Sequence, residues 1–178
     1  MESLIFLLLI FIEIIAFAIF MAMTIDRFFV NAPFIPTPQK TVEEIVSLAP
    51  AGNKQIVIDL GCGDGRVLYE YEKKYGAKCI GYELGIWPWF LASVRRALGA
   101  SHVQIIKGNL FNADLKDADI VYCYLFKEIM EALGPKFRKE MKQGSIVVSY
   151  DFEIPSWHPD QSIELSSQVG KKVHIYKI

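Results

Sequence analysis

The chain has 178 residues, 52% of them apolar, and a formal net charge of −1 at neutral pH. This length suits one domain with its own core, and the charge balance gives no sign of nucleic-acid binding. The three cysteines, Cys62, Cys79 and Cys123, are odd in number and lack metal spacing. We therefore expect reduced, mostly buried thiols of a cytosolic environment, and no metal.

The chain begins with an apolar run over residues 4–25 that holds a single charge, Glu13. At about 1.5 Å per helical residue, this run is long enough to cross a bilayer core. No basic segment precedes it, so we interpret residues 1–25 as a retained transmembrane anchor rather than a signal peptide. Lys or Arg residues occur only after the run, and the positive-inside rule then predicts a single-pass membrane protein with its C-terminal domain in the cytoplasm.

Residues 26–40 contain three prolines and are expected to form an extended linker. The domain proper is predicted over residues 41–178. Thr41 and Glu44 have the spacing of a capping box, which predicts that a short helix begins at Thr41.

Strands and helices alternate after Gly52. The link at 112–118 is too short for a full crossover helix, and Gly134-Pro135 is a possible break in the last helix. The alternation predicts an α/β, Rossmann-like, doubly wound seven-strand sheet that ends in a hairpin. The predicted strands are 55–60, 78–83, 103–107, 119–124, 145–150, 162–166 and 172–177, and the predicted helices are 65–75, 88–98 and 127–142.

The first of these strands ends in the sequence D-L-G-C-G-D-G-R at residues 59–66, and Glu83 closes the next strand. Glycine has no Cβ and tolerates positive φ, so Gly61, Gly63 and Gly65 let the backbone approach a ligand closely. An acid at the tip of the following strand can accept both hydroxyls of a ribose. The pattern predicts a site for an adenosine-type cofactor; the alternative is a tight turn that binds nothing.

The charge of the glycine turn favours a particular cofactor. The spacing G-x-G-x-G departs from the dinucleotide fingerprint, and Asp59 and Asp64 place negative charge where a pyrophosphate would lie. S-adenosylmethionine (SAM) carries a sulfonium and an ammonium group, and it suits such a turn. An NAD site is the alternative.

These parts together resemble the class I, seven-strand methyltransferases. Among them the chain resembles the small membrane-anchored protein lysine methyltransferases whose eukaryotic members modify the adenine nucleotide translocase and the c-subunit of ATP synthase. The resemblance covers about residues 25–160 and includes P-F-I-P-T at 33–37, G-Y-E-L at 81–84 and I-P-S-W at 154–157.

The resemblance implies SAM as the cofactor and a lysine ε-amine of a membrane or membrane-associated protein as the methyl acceptor. It places Glu83 on the ribose and Asn109 beside the adenine, where the family usually has an acid. Phe34 and Thr37 either fold over the cofactor or belong to a plain tether. The expected cofactor-binding residues are Phe34, Thr37, Asp59, Gly61, Gly63, Asp64, Gly65, Glu83 and Asn109.

A lysine acceptor must be neutral to react, and a dry aromatic slot favours its neutral form. Ligands of parallel sheets lie at the carboxyl ends of the strands, so the slot is expected from Tyr122 or Tyr124, together with Phe126 and Trp157. Asp151, or alternatively Glu153, is expected to take the leaving proton or to steer the lysine. The expected catalytic residues are Tyr124, Trp157 and Asp151.

Two other functions fit the same sequence. An enzyme that methylates a lipid or a quinone would use the same cofactor site and the same anchor. A non-catalytic membrane-anchored protein that binds SAM is the other alternative.

Overall fold

The computed structural model describes residues 2–29, 34–99 and 101–178. Residues 30–33, and with them Pro33 of the predicted linker, lie outside this part. The helices are α1 (Glu2–Phe29), α2 (Gln39–Leu48), α3 (Arg66–Tyr75), α4 (Ile86–Leu98) and α5 (Lys127–Glu140). The strands are β1 (Ile56–Leu60), β2 (Lys78–Glu83), β3 (Gln104–Lys107), β4 (Ile120–Cys123), β5 (Ile146–Tyr150), β6 (Gln161–Glu164) and β7 (Lys172–Lys177).

The strands form one seven-stranded sheet in the order β3-β2-β1-β4-β5-β7-β6. The first five strands are parallel, and β7 runs antiparallel between β5 and β6. The predicted seven strands and the closing hairpin are confirmed. The chain winds outward from β1 in one direction and from β4 in the other, so the carboxyl ends of β1 and β4 flank the crevice where such sheets bind ligands.

The sheet is covered on both faces because β1 and β4 carry apolar side chains on each side. Val57 and Ile120 belong to a core shared with α2 and α3. Ile58 and Val121 belong to a second core, which includes residues of α5. The three cysteines are free and buried as predicted, and burial raises the pKa of each thiol, to about 12 at Cys79.

The connection between β3 and β4 contains a single 3-10 turn, Leu110–Asn112, in place of a crossover helix. This agrees with the short link predicted there. The predicted break in the last helix is absent, since α5 continues through Pro135. Gly134 lies against Trp157, where an added Cβ would be 3.2 Å from the indole nitrogen.

Two predicted helix starts are wrong. α4 begins at Ile86, so Pro88 lies within its first turn, where a missing N–H costs no intrahelical bond. α2 begins at Gln39, after Pro38, and uses no side-chain cap. Thr41 and Glu44 instead bond to the β6–β7 loop: Glu44 accepts from Ser166 N and Ser167 N, each at 2.8 Å.

The predicted membrane anchor is also corrected. Within residues 2–29, 34–99 and 101–178, no helix has both the length and the hydropathy that a bilayer crossing needs. The described part of α1 contacts α4 of the domain. The predicted membrane-spanning helix and the single-pass membrane localisation are therefore wrong, and nothing in the described residues supports the membrane as a partner through this helix.

Glu44 links α2 to the β6–β7 loop in a manner that depends on pH. Its hydrogen bonds from Ser167 and Ser166 lower its pKa from 4.5 to about 2. Replacing Glu44 with Gln should reduce the free energy of unfolding by about 1 kcal/mol near neutral pH, because the bonds are solvent-exposed. The lowered pKa means that this contribution is complete above pH 4.5 and is lost as the pH falls towards 2.

Denaturant unfolding of the wild type and Glu44→Gln across this pH range tests the link. The two stabilities should converge as the solution becomes more acidic. Glu43→Gln is the matched control, since Glu43 is exposed and bonds only weakly to Gln39, at 3.2 Å. A difference between wild type and Glu44→Gln that stays constant down to pH near 2 would rule the link out.

Candidate active site

The loop after β1 has a backbone that other residues rarely adopt. Gly61, Gly63 and Gly65 have φ values of 85°, 56° and 77°, in the region that disfavours a Cβ. Gly61 N and Cys62 N donate to the carbonyl of Tyr82 on β2, at 2.9 and 3.0 Å. The loop is thus fixed against β2 before it enters α3.

Glu83, at the end of β2, holds this loop from the other side. Its Oε2 accepts from Gly63 N at 2.8 Å, and its Oε1 accepts from Gly85 N at 2.6 Å. The residue is 7% exposed. An acid in this position, at the end of the second strand of such a sheet, is the kind of group that accepts the hydroxyl donors of a ribose.

Asp59 places a buried carboxyl group at the end of β1. It is 2% exposed, and its Oδ1 has no hydrogen-bond partner among the described residues. Burial, and then the charges of Glu83 and Asp64, raises its pKa well above the ordinary value. The hydroxyl of Tyr122, opposite Asp59 in the β1–β4 ladder, is likewise buried without a partner there. Buried polar groups without partners indicate a missing ligand or water, and at Asp59 the charge favours a cation.

Asp64 does not add to the negative charge of the site, contrary to the prediction from the sequence. Its carboxylate forms ion pairs with Arg66 at 2.7 Å and with Arg95 at 3.0 Å. Burial raises the pKa of Asp64, but the hydrogen bonds and charges of these arginines outweigh it, and the pKa is lowered. Among the described residues, the carboxylate oxygen without a partner at this loop therefore belongs to Asp59.

The segment before α2 lies on the glycine loop. A Cβ added at Gly63 would be 2.6 Å from the ring of Phe34, so glycine is required there for the ring to fit. Thr37 is buried, and its carbonyl accepts from the guanidinium of Arg66. The structure brings Phe34 and Thr37 to the loop, and their contact with the cofactor remains a prediction.

Asn109 follows β3 and lies near the end of β2. Gly108 N donates to Glu83 O at 3.0 Å, which joins the two strand ends. The side-chain oxygen of Asn109 accepts from Phe111 N at 3.0 Å and caps the 3-10 turn. Its exposed position beside Glu83 is compatible with the predicted contact to an adenine, which remains a prediction.

Aromatic side chains gather at the carboxyl ends of β4 and β5. The ring of Tyr124 lies 4.5 Å from that of Tyr150 and 6.2 Å from that of Phe152, between centroids. Phe126 meets Phe152 edge-on at 5.6 Å. We call Tyr124, Phe126, Tyr150 and Phe152 the aromatic cluster. Tyr150 and Phe152 were missed, although the strand-end rule that selected Tyr124 on β4 applies equally to β5.

Trp157 lies apart from this cluster. Its ring packs against Phe137 and Tyr176, at 6.5 and 5.9 Å between centroids, and beneath the guanidinium of Arg138 at 4.5 Å. These partners belong to α5 and β7 on the second core, whereas Tyr124 packs on the first. The structure therefore does not place Trp157 next to Tyr124, as the predicted slot required.

Asp151 has a positive φ of 71° and an ion pair with Lys171. Asp151, Phe152 and Trp157 all line an open cleft of about 690 Å³. Tyr122, the alternative to Tyr124, is 2% exposed and lies in the core. No cluster of His, Cys, Asp and Glu that could hold a metal occurs in the described part of the chain.

The class I SAM-dependent methyltransferases combine a seven-strand sheet and its switch point with a glycine loop at the end of β1 and an acid at the end of β2, and this chain has each of these features. Residues 59–161 match the model of the ANTKMT methyltransferase domain. The chain belongs to this family.

Comparison with individual proteins agrees with this assignment. A protein-lysine N-methyltransferase of Saccharolobus islandicus is 34% identical over 83% of this chain and 94% of its own. The mouse adenine nucleotide translocase lysine N-methyltransferase is 30% identical over 72% of this chain, which spans only 57% of the mouse protein. A crystal structure of an RNA methyltransferase from Salinibacter ruber with S-adenosylhomocysteine has a TM-score of 0.74 and 31% identity, covering 81% of this chain and 94% of its own.

The cofactor is SAM, and it supplies an electrophilic methyl group on a sulfonium. The residues of this site fit it: Glu83 places a carboxylate at the end of β2 for hydroxyl donors, and Asp59 has a buried carboxylate oxygen without a partner in the described part of the chain.

Asp59→Asn should have opposite effects on the stability of the ligand-free protein and on its affinity for SAM. The pKa of Asp59 is raised in the folded chain, so the carboxyl does not affect stability below 3.8, and its cost to folding grows as the pH rises above 3.8 until it is complete above the folded pKa. An uncharged amide should therefore stabilise the ligand-free protein by about 1–2 kcal/mol near neutral pH, yet weaken SAM binding. Thermal unfolding and titration calorimetry measure the two effects.

Asp119→Asn is the matched control for this prediction. Asp119 is satisfied by Ile56 N and by Lys142, each at 2.7 Å, so its replacement should destabilise the protein and leave SAM affinity unaffected. If Asp59→Asn destabilises the ligand-free protein as well, Asp59 is not an unpaired charge.

Proposed function

We propose that this chain is a protein-lysine methyltransferase, which transfers the methyl group of SAM to the ε-amine of a lysine in another protein. The observation that carries the proposal is the aromatic cluster at the carboxyl ends of β4 and β5, beside the glycine loop of β1. The names of the archaeal and mouse relatives, both lysine N-methyltransferases, support the same acceptor.

The chemistry that such an acceptor requires is positioning and removal of water. A lysine amine is almost fully protonated at neutral pH and cannot attack in that form. Aromatic walls disfavour the charged form by desolvation and attract the alkylammonium before it loses its proton. The methyl group needs no nucleophile from the protein, so alignment of the amine within the slot is the main contribution of the chain.

Tyr124 is the proposed residue in contact with the amine. Its ring is half-buried between Tyr150 and Phe152, so its hydroxyl can accept a hydrogen bond from the amine at the wall of the slot. Burial, followed by the neighbouring Tyr124 and Asp151, raises the pKa of Tyr150 to about 12. Tyr150 therefore stays neutral, and its hydroxyl donates to Gln168 Oε1.

The ion pair with Lys171 argues against Asp151 as the proton acceptor. It supports a role in which Asp151 shapes the loop after β5, where its backbone N–H donates to Lys172 O at 2.8 Å. The leaving proton then passes to water in the open cleft that Phe152 lines.

An RNA acceptor is the second candidate, because the Salinibacter ruber relative is named as an RNA methyltransferase. A net charge of −1 argues against it, since RNA-binding surfaces are usually basic. Lipid or quinone acceptors and a non-catalytic SAM-binding role remain as further outcomes of the experiment.

The acceptor class can be identified by incubating the purified chain with methyl-labelled SAM and a cell extract. Label in protein that yields methyllysine on hydrolysis, and that disappears when lysines are methylated beforehand, supports the proposal. Label that is sensitive to ribonuclease indicates RNA, and label in the organic extract indicates a lipid or quinone. SAM binding without any transfer would indicate a non-catalytic protein.

A membrane or membrane-associated acceptor is the finer part of the proposal. It is supported by the translocase named for the mouse relative. Separating membrane from other proteins before labelling tests this part: label confined to the other fraction would refute it while leaving lysine methylation intact.

Tyr124→Phe should reduce the turnover number at least about ten-fold, the scale of losing a positioned polar group in the transition state. SAM affinity should change little. Tyr150→Phe makes the same chemical change one strand away, where the hydroxyl bonds to Gln168. It should cost stability of about 1 kcal/mol and little turnover. Steady-state transfer to the labelled protein fraction measures both, and equal turnover in the two variants would exclude Tyr124 from the reaction.

A further inference from the structure

Residues 34–38 form an extended segment before α2, which we call the strap. It lies on the glycine loop: the Phe34 ring occupies the space next to Gly63, and Thr37 is 7% exposed. The strap leads directly into α2, where Val42 N donates to Pro38 O at 3.0 Å.

Arg66 joins the strap to the glycine loop through one guanidinium group. Its Nη1 donates to the carbonyl oxygen of Thr37. Its Nε and Nη2 donate to the two oxygens of Asp64 at 2.9 and 2.7 Å. The planar fork of arginine makes such a three-way contact possible, whereas the single ammonium of lysine cannot reproduce its geometry.

Arg66 makes two kinds of contact, one with Asp64 and one with the carbonyl of Thr37 in the strap. Arg95 shares the first but not the second. Asp64 has a second cation in Arg95, at 3.0 Å, so its charge is compensated without Arg66. α2 is held to α3 independently, since Gln39 Nε2 donates to Glu70 Oε2 at 3.1 Å and Val42 and Ile45 are buried in the core. The strap can therefore leave the loop without the release of α2.

We infer that Arg66 is a positioning residue that holds the strap closed over the glycine loop, and thereby sets how tightly SAM is retained and how fast S-adenosylhomocysteine leaves. The inference rests on transfer from SAM and on the proposed contact of the strap with the cofactor. It does not depend on the chemical class of the acceptor. Its tests below use binding and proteolysis of the full chain.

Titration calorimetry with SAM and with S-adenosylhomocysteine is the first test. Arg66→Ala should weaken both affinities about ten-fold or more, as expected for loss of a charge-assisted hydrogen bond that organises the site. Arg66→Lys should recover part of the loss. Arg95→Ala removes the other ion pair of Asp64 but leaves the contact between Arg66 and Thr37. The loss of affinity in Arg95→Ala should therefore be clearly smaller. Equal losses in Arg66→Ala and Arg95→Ala would show that Arg66 acts only through Asp64, and would overturn the inference.

Phe34→Ala provides a second test of the same closure. If Arg66 acts by holding the strap, Arg66→Ala should cost little further affinity in a Phe34→Ala background, because both changes open the same contact. Fully additive losses would overturn the inference. This comparison remains decisive if Arg66→Ala alone does not fold, because Arg66→Lys can take its place in the cycle.

Limited chymotrypsin digestion of the ligand-free chain gives a readout without cofactor. Phe34 lies in the strap itself and is followed by the exposed Ile35, so cleavage after Phe34 reports release of the strap and does not require α2 to unfold. Cleavage there should be faster in Arg66→Ala than in Arg95→Ala and the wild type. Cleavage and affinity that follow this pattern support the inference even if no protein acceptor is found. Unchanged cleavage and affinity would refute it even if protein lysines are methylated.

Discussion

The carboxylate of Glu83 is the constraint on which the remainder of the site depends. One of its oxygens fixes Gly63 and the other fixes Gly85, so the loop after β1 and the loop after β2 are held at a set separation. Gly63 adopts a positive φ in this arrangement, and the space beside it accommodates the ring of Phe34. Any ligand that approaches the end of β2 meets a carboxylate that is already oriented, which reduces the entropy lost on binding.

The charges around the loop are arranged unequally. Asp64 is compensated twice, by Arg66 and Arg95, whereas Asp59 is buried with an oxygen that has no partner among the described residues. Asp64 fixes the positions of the two arginines. A charge on Asp59 has no such partner, so it lowers the stability of the ligand-free protein. A cation that enters next to Asp59 relieves that cost, so part of the binding energy is stored in the folded protein beforehand. This is the pattern expected where stability has been given up for function.

Features that depend on interactions between residues close in sequence could be predicted, and features that depend on distant residues could not. The seven strands and the loop at residues 59–66 were predictable because alternation and glycine spacing are local signals. Thr41 and Glu44 have the spacing of a cap, but they bond to Ser166 and Ser167, about 120 residues later, and no local pattern contains that contact. One half of the neutralisation of Asp64 was missed for the same reason, since Arg95 approaches it from α4, whereas its other partner, Arg66, is only two residues away. The apolar run at residues 4–25 was interpreted from composition alone, and the membrane anchor inferred from it was wrong.

The shielded thiols have a practical consequence for following this enzyme in solution. All three cysteines of the chain are buried, and burial raises the pKa of each, so the thiolate form that reacts with maleimides is scarce. A cysteine introduced on the exposed side of the segment before α2 would therefore be the sole reactive sulfur. A fluorescent dye attached there would report, in real time and in single molecules, each excursion of that segment.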